Sequence, residues 1–156
     1  MYLCNTNGYF TMRKSETLRR DTAFMKTCMQ TAIELGSGKY TPSVKHIVKL
    51  SLRKPAPSYF VSFDLAKRNL EKIIASGASS RSSPSLRMKM WYEMLHKLTL
   101  RNGISSDGKI KPHVLSDIVF RGKPSAFFIS YSYALRLYHQ ISAQTKILNH
   151  EHHNLN

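Results

Sequence analysis

Cysteine is nearly absent from this sequence. Its two residues, Cys4 and Cys28, build no disulfide framework and show no metal-ligand spacing. With seven methionines beside them, they fit a reducing interior. No segment approaches the roughly 18 consecutive apolar residues of a membrane span. Asn5, Asn7 and Gly8 interrupt any signal-peptide core at the N-terminus. A cytoplasmic protein with no membrane partner is the expectation. Acidic residues are scarce as well: nine Asp and Glu, scattered without a carboxylate pair at suggestive spacing. There is no GxGxxG, no Walker loop and no zinc-finger spacing. His46, His96, His113 and His139 are dispersed, while His150, His152 and His153 sit in a polar tail that lacks the ligand set of a metal site. The sequence therefore predicts no enzyme and no cofactor.

Positive charge is what the chain has in excess. Twenty-four Lys and Arg give a net +15, spread along all 156 residues with no basic tail. Such an excess raises self-repulsion in a folded protein, and a polyanionic partner is its natural explanation. A hydrophobic content of 42% supports a true core, so the length predicts one domain spanning 1–156.

The chain also repeats itself. Displaced by 68 residues, 44–73 falls on 112–141 with six identities: Arg53/Arg121, Phe60/Phe128, Ser62/Ser130, Ala66/Ala134, Arg68/Arg136 and Ile73/Ile141. Like-for-like changes lie between them, among them Ile47/Leu115, Leu50/Ile118, Tyr59/Phe127, Val61/Ile129 and Phe63/Tyr131. A repeat dictates architecture. The expected fold is mainly α, a compact helical domain built from two pseudo-repeated helix–loop–helix units. Unit one covers 42–76, a bridging linker and helix 77–111, and unit two 112–147. A loose lead-in (1–12) and a polar tail (148–156) complete the chain.

Apolar spacing and stop signals predict helices at about 15–36, 43–53, 63–76, 84–101, from 112, and 130–147. Pro55 and Pro57 end the second of these. The run Gly77–Ser85 reads as a linker, and Asp107-Gly108 as a turn. Cys28 reads as a small buried hydrophobe within the first helix.

Ser62 and Ser130 tempt a nucleophile reading, but N-capping explains both without requiring a base. Asp64 stands four residues before Arg68, the favourable order for a helix pair, although Ser132 replaces Asp64 in the second copy. The remaining candidates are cationic: Lys45, Lys49, Arg53, Lys54, Lys67, Arg68, Lys72, Arg121, Lys123 and Arg136. Arg68 and Arg136 follow the capping serines closely enough for a guanidinium and helix amides to hold a phosphate together. The competing role for the arginines is structural, capping carbonyls or packing along Phe60 and Phe128.

The stretch Lys54-Pro55-Ala56-Pro57-Ser58-Tyr59-Phe60-Val61-Ser62-Phe63, followed by Ala66 and Arg68, resembles a motif of an uncharacterised bacterial family of small basic proteins. The resemblance spans about residues 42–141 and implies no activity. The second copy departs from it, with Lys123-Pro124-Ser125 where Pro55-Ala56-Pro57 stands in the first.

Together these features predict a non-enzymatic nucleic-acid-binding protein. It would hold duplex DNA, in preference to RNA, through Lys/Arg–phosphate contacts on helix-turn-helix-like units. The nine-residue connection is longer than the three or four of a standard helix-turn-helix. The alternative is a protein–protein interaction or assembly module using the repeated aromatic–aliphatic surfaces. One continuous positive face would favour nucleic acid, and scattered charge with an exposed aromatic patch a protein partner.

Overall fold

Serine hydroxyls set where several helices begin. The computed structural model describes residues 2–4, 10–12, 15–38, 41–77 and 83–153, with side chains over 15–38, 41–77 and 83–143. Among the described residues six helices carry the architecture: α1 (Ser15–Gly36), α2 (Val44–Leu52), α3 (Phe63–Ser76), α4 (Leu86–Leu100), α5 (Pro112–Arg121) and α6 (Tyr131–His153). Ser43 accepts from the His46 amide at 3.2 Å, Ser62 from Leu65 at 3.3 Å, Ser85 from Met88 at 3.2 Å and Ser130 from Tyr133 at 3.2 Å. Each bond satisfies an amide that the first helical turn leaves without a partner. Pro112 opens α5, where a missing N–H costs nothing. Gly77 closes α3 in the left-handed region at φ 57°.

Most helix boundaries fall within a residue or two of the sequence expectation. The exception is α6, whose backbone continues to His153, through the predicted polar tail. No Gly or Pro follows Tyr131 to stop it. Within the predicted lead-in, β1 (Tyr2–Cys4) pairs antiparallel with β2 (Phe10–Met12), in register Tyr2 with Met12. The Asp107-Gly108 turn is present: the Gly108 amide donates to the Ser105 carbonyl at 2.9 Å, and Gly108 takes φ 77°. The predicted linker Gly77–Ser85 lies partly outside the described residues, as do the side chains of Cys4, His150, His152 and His153.

Packing divides the helices into two clusters of three. In the first, α3, α4 and α5 enclose Leu70, Trp91, Met94, Leu98, Leu115 and Ile118. In the second, α1 and α6 both pack on α2, around Phe24, Cys28, Val48, Ala134 and Leu137. Chain order makes this arrangement informative. The helices joined by 53–62, α2 and α3, lie in different clusters, and so do α5 and α6, joined by 122–130. Both loops therefore cross the joint between the clusters.

Each crossing loop carries an aromatic pair that straddles the joint. Tyr59 is buried in the first core while Phe60 packs on the second; Phe127 is buried in the second while Phe128 packs on the first. Val61 returns to the core of Tyr59 and Ile129 to that of Phe127. Phe60 and Phe128 hold φ 52° and 53°. That conformation costs a bulky L-residue about 1–3 kcal/mol and persists only where its surroundings fix it. Here packed cores on both sides supply the constraint.

Candidate nucleic-acid interface

The crossing loops enclose a cleft of about 310 Å³. Its walls come from four directions: Glu16, Thr17 and Arg20 from α1, Leu65 and Arg68 from α3, Arg87 and Met90 from α4, and the aromatic pairs of both loops. Ser62, the cap of α3, also lines it. Three guanidinium groups and the Glu16 carboxylate thus meet the aromatic rings of one open cleft.

A fourth arginine extends the row. Arg20 stands 5.2 Å from the centroid of the Tyr133 ring, and Arg136 stands 5.5 Å from the same ring. An aromatic face attracts a cation by about 0.5–1 kcal/mol at such sites, and stacking on a ring does not use an arginine's N–H fork, although Arg20 already gives its Nε and one Nη to Asp21. Tyr133 is itself fixed, because its hydroxyl donates to the carboxylate of Asp21 at 2.6 Å. Arg20 also pairs with buried Asp21 at 2.9 Å. Asp21 therefore holds both ring and guanidinium in place, at the cost of part of the local positive charge. Arg87, on α4, stands 6.0 Å from the centroid of the Trp91 ring. Arg136, Arg20, Arg68 and Arg87 form a band from α6 across α1 and α3 to α4, with Glu16 and Asp21 beside Arg20 and with Asp64 and Glu71 beside Arg68.

A second polar cluster pins the loops. Glu93, on α4, accepts from the Tyr59 hydroxyl at 2.6 Å, from Lys97 at 3.0 Å and from the Ser125 amide at 3.1 Å. Lys97 also donates to the Tyr59 oxygen at 2.6 Å and to the Lys123 carbonyl at 2.8 Å. One carboxylate thus ties both crossing loops to the same helix. Burial works against its charge, but the hydrogen bonds from Ser125, Tyr59 and Lys97 prevail and hold its pKa below the usual carboxylate value. Burial, reinforced by Glu93, pushes the Tyr59 phenol well above its usual value. A phenol so shifted is no base at neutral pH, and this cluster positions the loops.

Of the ten cationic residues singled out from sequence, the structure places Arg68 and Arg136 in the band. Lys67 and Lys72 adjoin Arg68 on the outer face of α3 but share it with Asp64 and Glu71, which leaves that face only weakly positive. Lys54 is engaged with Glu34 at 2.6 Å. Arg121 approaches Asp117 at 3.7 Å. Lys49 stands 5.8 Å from the centroid of the Tyr131 ring, and Lys45, Arg53 and Lys123 are exposed. Ser62 and Ser130 are N-caps, and Cys28 is wholly buried, its thiol pKa raised by that burial.

Arg20, which the sequence places on the outer face of the first helix, and Arg87 are not among the sequence candidates because they lie outside the repeated segment. Their only signal was position: each precedes a buried pair, Phe24-Met25 or Met90-Trp91, by about one helical turn. No family model, curated protein or solved structure matches this chain. The geometry alone carries the functional reading. Among the described residues no group of His, Cys, Asp and Glu could hold a metal ion, and no helix is long and apolar enough to cross a membrane.

Proposed function

We propose that this is a non-enzymatic protein that binds duplex nucleic acid, DNA before RNA, through its arginine band. The observation that carries the reading is that Arg20, Arg68 and Arg87 line one cleft at the joint between the two helix clusters, with Arg136 on the Tyr133 ring that Arg20 also faces. A connected positive track suits a phosphate backbone, where Lys and Arg contacts displace condensed counterions and dominate affinity.

The reading includes a duplicated helix–loop–helix unit. Several features at a 68-residue interval support it: helix starts at Val44 and Pro112 and at Phe63 and Tyr131, capping Ser62 and Ser130, left-handed Phe60 and Phe128, and Arg68 and Arg136. Two related arginine sites suit the two antiparallel strands of a duplex, as the two-fold symmetry of other DNA-binding proteins suits theirs. One part of the helix-turn-helix analogy weakens. The two helices of each unit pack in different clusters, so α3 and α6 are not second helices laid against a first. Phosphate contact is the favoured mode, ahead of a recognition helix reading bases.

The protein-docking alternative has an observation of its own. Met29 and Ile33, one turn apart on α1, are 63% and 68% exposed. The repeated aromatics are not that surface, since Tyr59 and Phe127 are core.

Fluorescence anisotropy with a labelled 20-base-pair duplex tests the proposal. Contact with about four phosphates gives a log–log salt slope near about −3.6. Absence of binding at low salt would contradict the reading and direct attention to the Met29–Ile33 face.

A further inference from the structure

We propose that the cleft between the crossing loops holds a single unstacked nucleotide, its base against Phe60 and Phe128 and its phosphate on Arg68 and Arg87. This inference rests on the nucleic-acid reading and names the chemistry of its central cavity. The cleft, at about 310 Å³, lies at the small end of ligand-binding cavities. Its lining includes two half-buried phenylalanine rings, and the charged groups around it are three guanidiniums and the single Glu16 carboxylate. Planar apolar walls beside several cations match a nucleobase with its phosphate, because every base offers a π-face and every phosphate accepts a guanidinium fork. They do not match an organic cation, which the three arginines would repel. Ser62 adds a hydroxyl whose oxygen already accepts from Leu65, leaving its proton to donate. Glu16 adds an acceptor for a base amine.

The nucleotide has two sources: an unpaired residue of the bound strand, or a free mononucleotide. Anisotropy with three labelled duplexes separates them, one fully paired, one with an extra unpaired adenosine, and one with an abasic residue in the same place. The abasic duplex controls for bending. Wild type is expected to bind the adenosine bulge roughly 5- to 100-fold more tightly than the abasic bulge, the range for stacking one base on an aromatic ring. In Phe60→Gly, which relieves the left-handed backbone as it removes the ring, that ratio should fall to about one. Adenosine monophosphate, titrated alone by calorimetry, covers the second source. Its binding, weakened by the exposed-site variant Arg87→Gln, would support a free nucleotide even if the two bulges bind alike. Equal bulge affinities with no mononucleotide binding, while the paired duplex still binds, would overturn this inference and leave the duplex reading standing. Failure of every ligand to bind would overturn both.

Discussion

Tyr59 and Phe127 hold corresponding places in the two crossing loops, 3% and 4% exposed, and they meet burial differently. Phe127 packs edge-on against Phe24, with ring centroids 5.2 Å apart and planes at 78°. Tyr59 carries one more oxygen and brings with it the Glu93–Lys97–Ser125 cluster. A buried hydroxyl without a partner is costly, so the polar side chains on α4 follow from that single atom. The second loop is held closely on its own account. A Cβ on Gly122 would lie 2.2 Å from the Ile118 carbonyl oxygen and 3.1 Å from the Tyr59 ring, so only glycine lets α5 end against that ring. The polar cluster ties both loops to α4 through Tyr59, Lys123 and Ser125, so the difference lies in the buried rings: Tyr59 belongs to that cluster, and Phe127 packs against Phe24.

The comparison breaks most severely at Glu93. Replacing it with Leu leaves the Tyr59 hydroxyl and the Ser125 amide without their acceptor, and the Lys97 ammonium with no counter-charge and only the Tyr59 oxygen and Lys123 carbonyl to receive it. A loss of about 2–4 kcal/mol is expected in urea unfolding. A loss under about 0.5 kcal/mol would mean that water replaces the carboxylate freely.

Exchanging the rings is the next test. Phe127→Tyr puts a hydroxyl where the described contacts are apolar and should cost about 1–3 kcal/mol, whereas Tyr59→Phe should cost about 1 kcal/mol. Equal costs would show that the polar cluster is not what distinguishes the two rings.

The left-handed phenylalanines give a smaller, cleaner effect. At either position 60 or 128, Ala keeps the strain and loses the ring, while Gly loses both. The Gly variant should therefore be more stable than the Ala variant by about 1 kcal/mol. The opposite order would mean that neither backbone is strained.

Smallest is the pH response. Glu93 has a folded pKa below its ordinary 4.5. Its contribution is present above the unfolded value and is lost as pH falls through the folded one. Below about pH 4.5 wild type should lose stability faster than Glu93→Gln, as read from urea midpoints across an acid series.

Much of the helical pattern is legible in the sequence because its signals are local. Ser43, Ser62 and Ser85 each lie one residue before a helix, and Pro112 opens one, with geometries set by their own side chains. The partners of those helices are another matter. Apolar spacing shows that Ile47, Val48, Leu70 and Ile73 face a core, but not that α2 meets α6 while α3 meets α5. That exchange depends on loops long enough to cross the joint, and loop length alone does not say where a chain goes. The candidate site was half legible for the same reason. Arg68 and Arg136 carry the repeat, whereas Arg20 and Arg87 join them only because α1 and α4 fold beside the loops. Each aromatic pair places one ring, Tyr59 or Phe127, fully in a core and the other half-buried against the opposite one. Their division between two cores required three dimensions.

Charge reversal in two matched pairs tests the central claim most directly. Arg68→Glu/Arg136→Glu strikes the band, and Arg53→Glu/Arg121→Glu strikes the other repeated arginines, which no described contact joins to it. Both change net charge equally, so a general electrostatic effect lowers duplex affinity equally. The arginine band predicts that the first pair loses at least about tenfold more affinity than the second, a difference of about 1.4 kcal/mol, and flattens the salt slope by about two units. Equal losses, with both variants folded, would contradict it.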